Sequence, residues 1–260
     1  MMFKIESLLP LVRRAGNILL KHYGVASSNW KQQDNFGISS IVTQADLDVE
    51  KFLGHELKLR FPNYGFYGEE KLRRKIDSEY VWYLDPLDGT FNFNRQVPIF
   101  GISLGLVHNG VPVAGILHFP KLKLTVWAEF GRGTYANGKR VKVSQRSLSQ
   151  SLYWAGGYYK HKLGLVDKLL PHIGAVKIID ASSFVLAQIA QGQAEIYALS
   201  NIPYDVVAGV IAIQEAGGKV TDQKGKPYTI DSQTIVATNG RIHDQVVSIL
   251  HNVSLKNKYR

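Results

Sequence analysis

Apolar residues recur at helical spacing in two stretches near the start of the chain. Residues 3–22 carry an apolar side chain at about every third or fourth position, which predicts an amphipathic helix with the stripe Ile5, Leu8, Leu9, Val12, Ala15 and Leu19. A second helix is expected after Thr43, because a threonine hydroxyl can accept a hydrogen bond from the first free N–H groups of a helix. Asp46 then lies in the first turn, and the predicted buried face consists of Leu47, Phe52, Leu53 and Leu57.

Short apolar runs rich in β-type residues replace these stripes from Tyr80 onwards. The segment VWYL predicts a buried strand that ends at Asp85-Pro86. The segment IFGISLGLVHNGVPVAGILHF predicts two strands joined by a tight turn at Asn109-Gly110, and Asn137-Gly138 predicts another such turn. The first half of the chain is therefore predicted to be α+β with mostly antiparallel pairing.

Strands and helices alternate in the second half of the chain. Predicted strands cover 152–155, 176–179, 196–198, Val220 and 235–237, and predicted helices cover 162–170, 183–190, 205–216 and 241–251. Such alternation is typical of a sheet covered by helices. We expect residues 1–260 to form a single layered α/β domain, with an N-terminal lobe of about residues 1–148 and a C-terminal lobe of about residues 149–260.

The composition fits a globular protein of 260 residues, of which 45% are hydrophobic and 20% are charged. No stretch approaches the roughly 18 consecutive apolar residues of a membrane helix, and charged residues interrupt the N-terminal apolar segment in a way that is not typical of a secretory signal. The absence of cysteine excludes disulfides and thiol catalysis and fits a reducing compartment. A cytoplasmic protein without a membrane partner is therefore expected.

The formal net charge of +10 is the one unusual feature of the composition. The basic residues form short clusters at Lys71, Arg73, Arg74 and Lys75, at Lys139, Arg140, Lys142 and Arg146, and in the tail 255–260. These clusters lack the interleaved aromatic residues of an RNA-binding signature. A solvated basic surface is favoured, and binding of nucleic acid or a regulatory partner through that surface is the alternative from a different functional class.

Three acidic segments contain the candidate chemistry. Asp85-Pro86-Leu87-Asp88-Gly89-Thr90 directly follows a predicted strand, Gly68-Glu69-Glu70 follows an apolar-aromatic segment, and Asp205 precedes an apolar helix. Taken singly, these segments indicate a capped turn, a solvated turn and a helix N-cap. In the first segment, Gly89 allows a close backbone approach, and the amides of Gly89 and Thr90 can face an anion at a helix start.

Taken together, the carboxylates of Glu69, Asp85, Asp88 and Asp205 indicate a metal site. Two carboxylates ~4 Å apart repel each other by about 4 kcal/mol at an effective dielectric constant of ~20, so the cluster persists only if its pKa values rise or cations neutralise it. Oxygen ligands without cysteine or paired histidines select a hard cation, above all Mg²⁺. A hard cation beside the amides of a helix start suits a phosphate group. Phosphomonoester hydrolysis is among the slowest uncatalysed reactions, and bound metal ions can supply the stabilisation that it needs. We therefore predict a metal-assisted phosphatase.

The three segments resemble the metal-site signatures of the inositol monophosphatase family, a family of magnesium-dependent, lithium-sensitive phosphatases. They occur in the same order and at similar spacing, and the segments Gly131–Ser144 and EAGGKVTD are similar as well. The resemblance covers about residues 2–250. It implies a layered α-β-α-β-α fold of the sugar-phosphatase type, a homodimer, and Mg²⁺ bound by Glu69, Asp85, the Leu87 carbonyl, Asp88 and Asp205.

The resemblance also implies a role for individual residues. Glu69 and Thr90 would orient the water that attacks phosphorus, and Asp46 would pair with Thr90 and help to set its proton. The reaction would be an in-line displacement without a covalent enzyme intermediate. Lys31 is the candidate for the lysine that the family places in the loop before Val42. The implied substrate-binding residues are Asp88, Gly89, Thr90, Asp180, Ala181, Ser182 and Asp205.

The segment that would bind the alcohol departs from the family pattern. Residues 196–204 lack the acid that inositol-hydrolysing relatives typically place before the last metal-binding aspartate, and Tyr204 replaces their usual tryptophan. We expect a small phosphate ester as substrate, foremost an inositol monophosphate or a related sugar or polyol phosphate, with fructose 1,6-bisphosphate and a 3′-phosphonucleotide as alternatives. Asp48 and Glu50 are interpreted as solvated acids, and Ser183 as a helix-cap or substrate-contact residue rather than a nucleophile.

Overall fold

A computed structural model of the chain describes residues 4–25, 28–30, 41–156, 163–251 and 253. The candidate Lys31 and the basic tail 255–260 lie outside the described residues. The helices are α1 (Leu9–His22), α2 (Gln44–Arg60), α3 (Thr90–Asn94), α4 (Leu163–Leu169), α5 (Ser182–Ala190), α6 (Pro203–Glu215) and α7 (His243–Leu250). None of these described helices is both long and apolar enough to cross a membrane.

The strands follow the predicted order along the chain. They are β1 (Ser28–Trp30), β2 (Ile41–Thr43), β3 (Gly65–Gly68), β4 (Arg73–Arg74), β5 (Tyr80–Asp88), β6 (Gly101–His108), β7 (Val111–Phe119), β8 (Leu124–Glu129), β9 (Gly133–Ala136), β10 (Lys139–Val141), β11 (Leu152–Gly156), β12 (Ala175–Ile179), β13 (Ile196–Ser200), β14 (Lys219–Thr221) and β15 (Thr234–Thr238). The alternation of strands and helices predicted for the second half is therefore confirmed.

The first half of the chain builds an eight-stranded sheet in the order β10-β9-β8-β7-β6-β5-β3-β4. All neighbouring strands are antiparallel except β3 and β5, which are parallel, so the predicted antiparallel character is confirmed. The predicted turn at Asn109-Gly110 has φ angles of 48° and 82°, and the turn at Asn137-Gly138 has φ angles of 47° and 80°. Two successive positive φ angles are what a tight hairpin turn between twisted strands requires.

The second half builds a five-stranded sheet in the order β12-β11-β13-β15-β14. Strand β11 is parallel to both of its neighbours, β12 and β13, whereas β15 is antiparallel to β13 and β14. Helices α4 and α5 fall in the connections between the parallel strands. Such parallel connections need a crossover, which a helix usually provides.

Three apolar clusters separate the layers of the molecule. The first packs α1 and α2 against the eight-stranded sheet, the second surrounds α5 and α6 between the two sheets, and the third packs α4 and α7 on the five-stranded sheet. The order of layers is therefore α-β-α-β-α, as expected. The second cluster joins residues from both halves of the chain, such as Leu117 and Ile211. The lobe boundary near residue 148 stays a prediction.

Helix α2 buries a different face from the one predicted. Leu53 and Leu57 are buried as expected, but Leu47 is only partly buried, and Phe52 packs at the margin of the cluster. The interpretation of Glu50 as a solvated acid is wrong, because this residue is only 2% exposed. Glu50 lies four residues after the buried Asp46, and residues at this spacing share one face of a helix.

Helix α6 lies unusually close to the eight-stranded sheet, because glycines face it. A Cβ atom on Gly115 would lie 2.6 Å from the Ala208 Cα atom and 2.8 Å from the Ala208 carbonyl oxygen. A Cβ atom on Gly105 would overlap the Val207 side chain and lie 2.9 Å from the Ala208 backbone nitrogen. The helix backbone therefore rests directly on strands β6 and β7 at Val207 and Ala208, which sets the distance between the helix and the sheet.

A buried histidine joins helix α7 to the five-stranded sheet and predicts acid sensitivity. His243 Nε2 lies 2.9 Å from Thr221 Oγ1, and Nδ1 lies 3.0 Å from Thr238 Oγ1. Burial, together with the nearby Lys219, lowers the pKa of His243 from its usual 6.5 to about 4. Because the unfolded chain then binds a proton more readily than the folded protein, the stability that the neutral histidine contributes is lost as pH falls from about 6.5 to about 4.

We expect the advantage in unfolding free energy of wild type over His243→Gln to shrink across this pH window. Urea unfolding of both proteins at several pH values measures that advantage, and the comparison cancels the titration of other groups. An advantage that does not change with pH would show that His243 does not titrate as the geometry implies.

Candidate active site

Strand β5 brings two aspartates to one end of the eight-stranded sheet through an irregular segment. The predicted end of this strand at Asp85-Pro86 is wrong, because pairing with β6 continues to Asp88. Asp85 pairs with Ser103 and Asp88 with Gly101, so two residues of β5 face one residue of β6 between these pairs. This is a β-bulge, and it falls where Pro86 has no N–H group to donate.

Asp85 lies near three other acids and is only 3% exposed. Its Oδ1 atom accepts a hydrogen bond from the Leu87 backbone N–H at 2.9 Å, and its carboxyl group also shares a hydrogen bond with the Glu69 side chain. Burial raises the pKa of Asp85 well above its usual range, and the charges of Glu69, Asp205 and Asp88 raise it further. The structure therefore brings the four predicted acids into one electrostatically coupled group.

Asp88 faces the start of helix α5 from 95 residues away in the sequence. Its carboxylate accepts hydrogen bonds from the backbone N–H groups of Ser182, at 3.1 Å, and Ser183, at 2.7 Å, and a short one from the Ser183 hydroxyl. Burial raises the pKa of Asp88 to about 6 although these bonds lower it, and the charge of Asp180 raises it as well. Asp88 thus supplies the N-terminal cap that α5 lacks within its own sequence.

The turn at Gly89 packs against the segment predicted to bind substrate. Gly89 has φ +84°, and a Cβ atom there would lie 2.8 Å from the Ile99 carbonyl oxygen and 3.1 Å from that of Asp180. Asn92 Nδ2 donates hydrogen bonds to the same two carbonyls, at 2.9 Å and 3.0 Å. The residues Asp180, Ala181 and Ser182 therefore lie beside Asp88, Gly89 and Thr90, although their contact with a substrate stays a prediction.

The predicted hydrogen bond between Asp46 and Thr90 is not formed in this structure. Thr90 Oγ1 donates to the Leu87 carbonyl oxygen at 3.0 Å. Asp46 Oδ2 accepts from the Thr43 backbone N–H at 2.8 Å and from its hydroxyl at 2.6 Å, while the buried Oδ1 atom has no hydrogen-bond partner. Asp46 and Thr43 form a capping box, which confirms that Thr43 starts α2. Burial, opposed by the Thr43 bonds and assisted by the Glu70 charge, raises the pKa of Asp46 to about 6.

Asp205 reaches the site from the first turn of helix α6. The interpretation of Asp205 as the N-cap is wrong, because the helix begins at Pro203 and Ile202 is the capping residue. A proline at the first helical position was the sequence signal for this earlier start. Ser103 Oγ donates to the Tyr204 carbonyl oxygen at 3.1 Å, and Ser103 is the residue that pairs with Asp85 in the sheet. This contact ties the first turn of α6 to the strand beside Asp85.

Tyr204 lies close to these acids. Its ring stacks on that of Tyr67, with 6.4 Å between the ring centroids. Burial raises the pKa of the Tyr204 phenol strongly, and the charges of Asp205, Glu69 and Asp85 raise it further. The departure from tryptophan noted in the sequence therefore places a phenol close to the coupled acids.

The donor set fits a hard cation. It consists of carboxylates and a carbonyl, the pKa of Asp85 is raised by neighbouring acids, and the buried Oδ1 atom of Asp46 has no hydrogen-bond partner. Each of these observations is what a site for an oxygen-coordinated cation shows without its charge partner. Within the described part of the chain, however, no three acidic or histidine side chains are already arranged as a coordination shell. The individual ligand assignments to Glu69, Asp85, Leu87, Asp88 and Asp205 therefore stay predictions.

Comparison with known proteins agrees with this geometry. Residues 4–255 match the sequence model of the inositol monophosphatase family. A fructose-1,6-bisphosphatase/inositol-1-monophosphatase from Thermotoga maritima is 32% identical over 254 residues, which cover 97% of each chain. The solved structure of a Thermotoga maritima IMPase has a TM-score of 0.88 at 31% identity, covering 97% of this chain and 98% of its own.

A third comparison concerns the fold alone. The crystal structure of an IMPase/NADP phosphatase complexed with Mg²⁺ and phosphate has a TM-score of 0.84 at 20% identity, covering 98% of this chain and 97% of its own. Together, the fold and the matches over nearly the whole chain define a phosphatase that hydrolyses phosphomonoesters. The chain belongs to the inositol monophosphatase family, whose members use metal ions, and the resemblance seen in the sequence is confirmed.

Proposed function

We propose that this protein hydrolyses a small phosphomonoester with the aid of Mg²⁺, foremost an inositol monophosphate or a related sugar or polyol phosphate. The observation that carries the proposal is the buried Asp85, which is coupled to Glu69, Asp88 and Asp205 at the end of β5. The oxygen donors of this group suit Mg²⁺. The complex of a similar fold with Mg²⁺ and phosphate supports the same choice of cation.

The proposed roles of the residues are those that the family resemblance implies. When bound, Mg²⁺ supplies Lewis-acid activation of water and neutralises the charge that develops on the phosphate. Glu69 and Thr90 orient the attacking water, and Asp46 supports Thr90 once the Thr90 hydroxyl leaves the Leu87 carbonyl oxygen, to which it donates in this structure. The amides of Gly89 and Thr90, at the start of α3, bind the phosphate oxygens. The segment 180–182 and the ring of Tyr204 contribute to the wall that faces the alcohol.

A substrate panel tests this proposal. We expect Mg²⁺-dependent phosphate release, with kcat/KM at least about tenfold higher for inositol 1-phosphate than for fructose 1,6-bisphosphate or a 3′-phosphonucleotide, since a site that hydrogen-bonds one alcohol discriminates by this factor or more. The Asp205→Asn variant serves as the control for contaminating phosphatase. No release from any of the three substrates would overturn the proposal.

A second candidate substrate is fructose 1,6-bisphosphate. The name of the Thermotoga maritima relative combines both activities, and residues 196–204 of this chain lack an acid that would face an inositol hydroxyl. A higher kcat/KM for fructose 1,6-bisphosphate than for inositol 1-phosphate would select this candidate. Homodimer formation and lithium sensitivity are further proposals that rest on family membership, and a cytoplasmic location is one that rests on the composition of the chain.

A further inference from the structure

Glu50 forms a buried link between helix α2 and the turn that contains Glu69. Its Oε2 atom accepts a hydrogen bond from the Glu70 backbone N–H at 2.9 Å. Its Oε1 atom accepts hydrogen bonds from the backbone N–H groups of Lys71 and Leu72, each at 2.8 Å. Hydrogen bonds to a charged acceptor are stronger than neutral ones, so one carboxylate orders three consecutive peptide groups.

The backbone on the other side of Glu69 is also fixed. The Gly68 N–H donates to the Leu72 carbonyl oxygen at 2.8 Å, which closes the turn. The Glu69 N–H donates to the carbonyl oxygen of Leu84 in strand β5 at 3.0 Å. The main chain of Glu69 is therefore held by β5 on one side and by the Glu50-bound turn on the other. Its side chain remains directed to Asp85, with which it shares a hydrogen bond.

Gly68 provides the space that this arrangement needs. A Cβ atom at this position would overlap the Glu50 carboxylate and lie 2.7 Å from its Cδ atom. Gly68 is not among the glycines with a positive φ angle, so close approach rather than backbone conformation explains the residue. The glycine before Glu69 and the buried acid on α2 are thus two parts of one contact.

We propose that Glu50 is a positioning residue of the metal site, which holds the turn 68–72 so that Glu69 can bind the cation. This inference rests on the proposed Mg²⁺-dependent function. It differs from a merely structural role because it predicts a change in cation affinity rather than only in stability. Groups that orient metal ligands typically alter affinity or activity by about 10–100-fold when they are changed.

The first test uses the full-length Glu50→Gln variant. The amide keeps the shape of the side chain but replaces one acceptor oxygen with an N–H donor, so at least one of the three backbone N–H groups loses its partner. We expect the Mg²⁺ dissociation constant measured by calorimetry to rise by about 10-fold or more, whereas kcat at saturating Mg²⁺ changes far less. Glu56→Gln is the matched control, because Glu56 lies on the same helix but pairs with Arg60.

The second test uses Gly68→Ala, which displaces the Glu50 carboxylate without changing either acid. We expect the same loss of Mg²⁺ affinity, together with faster hydrogen exchange of the Glu70, Lys71 and Leu72 amides. A folded Glu50→Gln or Gly68→Ala protein with the Mg²⁺ dissociation constant of wild type would overturn the inference. If wild type itself neither binds Mg²⁺ nor releases phosphate, the proposed function fails instead, so the two failures are distinguishable.

Discussion

Replacing Asp85 by asparagine is expected to reduce Mg²⁺-dependent phosphate release by about 10³-fold or more. This magnitude follows from the loss of several kcal/mol of metal-assisted stabilisation, since each 1.36 kcal/mol corresponds to a factor of about ten in rate. Asp85 is the acid on which the charges of Glu69, Asp88 and Asp205 converge. Initial-rate assays over a range of Mg²⁺ concentrations measure the effect, and they show whether excess cation restores any activity.

The same substitution is expected to stabilise the metal-free protein near pH 7.5. Because the pKa of Asp85 is raised in the folded protein, the folded state holds the proton more tightly than the unfolded chain does. Stability of the metal-free protein therefore falls as pH rises from the unfolded pKa of about 3.9 towards the raised folded value. An uncharged asparagine removes this penalty, so the advantage of Asp85→Asn in the presence of a chelator should be larger at pH 7.5 than at pH 4.

Added Mg²⁺ should make wild type more stable than Asp85→Asn. Millimolar Mg²⁺ is expected to raise the melting temperature of wild type, because the cation binds the folded acids selectively, and to leave that of Asp85→Asn nearly unchanged. Asp244→Asn, which alters an exposed acid paired with Lys219, should respond to Mg²⁺ as wild type does. An equal Mg²⁺ shift in wild type and Asp85→Asn would count against a metal site at Asp85.

Gly115→Ala is expected to have the largest effect on stability. The added Cβ atom would meet the Ala208 backbone at 2.6 Å and 2.8 Å, and backbone atoms cannot yield by changing rotamer. Overpacking of this kind costs up to about 3 kcal/mol, which corresponds to a fall of roughly 6–12 °C in the melting temperature of a protein of this size. We also expect lower activity, because lifting α6 from the sheet moves Asp205 away from Asp85.

A glycine on another helix provides the control for this prediction. At Gly164 in α4, an added Cβ atom would have no neighbour within 4 Å, and the φ angle is not positive, so Gly164→Ala meets open space. Alanine favours helix by about 1 kcal/mol over glycine, so this variant should be as stable as wild type or slightly more stable. Differential scanning fluorimetry of both variants makes the comparison, and equal melting temperatures for Gly115→Ala and wild type would refute close packing as the reason for that glycine.

Features that depend on neighbouring residues were predictable from the sequence. Thr43 starts α2, and Asn109-Gly110 forms the turn between β6 and β7, because each depends on bonds within a few residues. The chemistry of the residues alone grouped Glu69, Asp85, Asp88 and Asp205 as a metal site, whereas the resemblance to the family supplied the order of layers. The assignment of individual ligands and the catalytic roles of Glu69, Thr90 and Asp46 remain predictions of that resemblance.

Features that depend on distant partners escaped prediction. The burial of Glu50 arises from N–H groups about 20 residues further along the chain, at the turn after β3. Asp88 caps α5 across 95 residues, and no pattern near Asp88 or Ser183 indicates that the two meet. The start of α6 was also predicted wrongly, but for a different reason. Pro203 carried a local signal for the true start, and this signal outweighs the capping preference of Asp205.

The position of α5 and α6 between two sheets restricts how the protein can move. All residues of α5 are buried, and α6 contacts strands of both sheets. A hinge that separated the two sheets would expose this apolar layer to water, which is unfavourable in proportion to the area exposed. We therefore expect Asp88, Asp205 and Ser183 to move as one body, and we expect substrate and product to exchange through the rim of the site rather than by opening of the whole molecule.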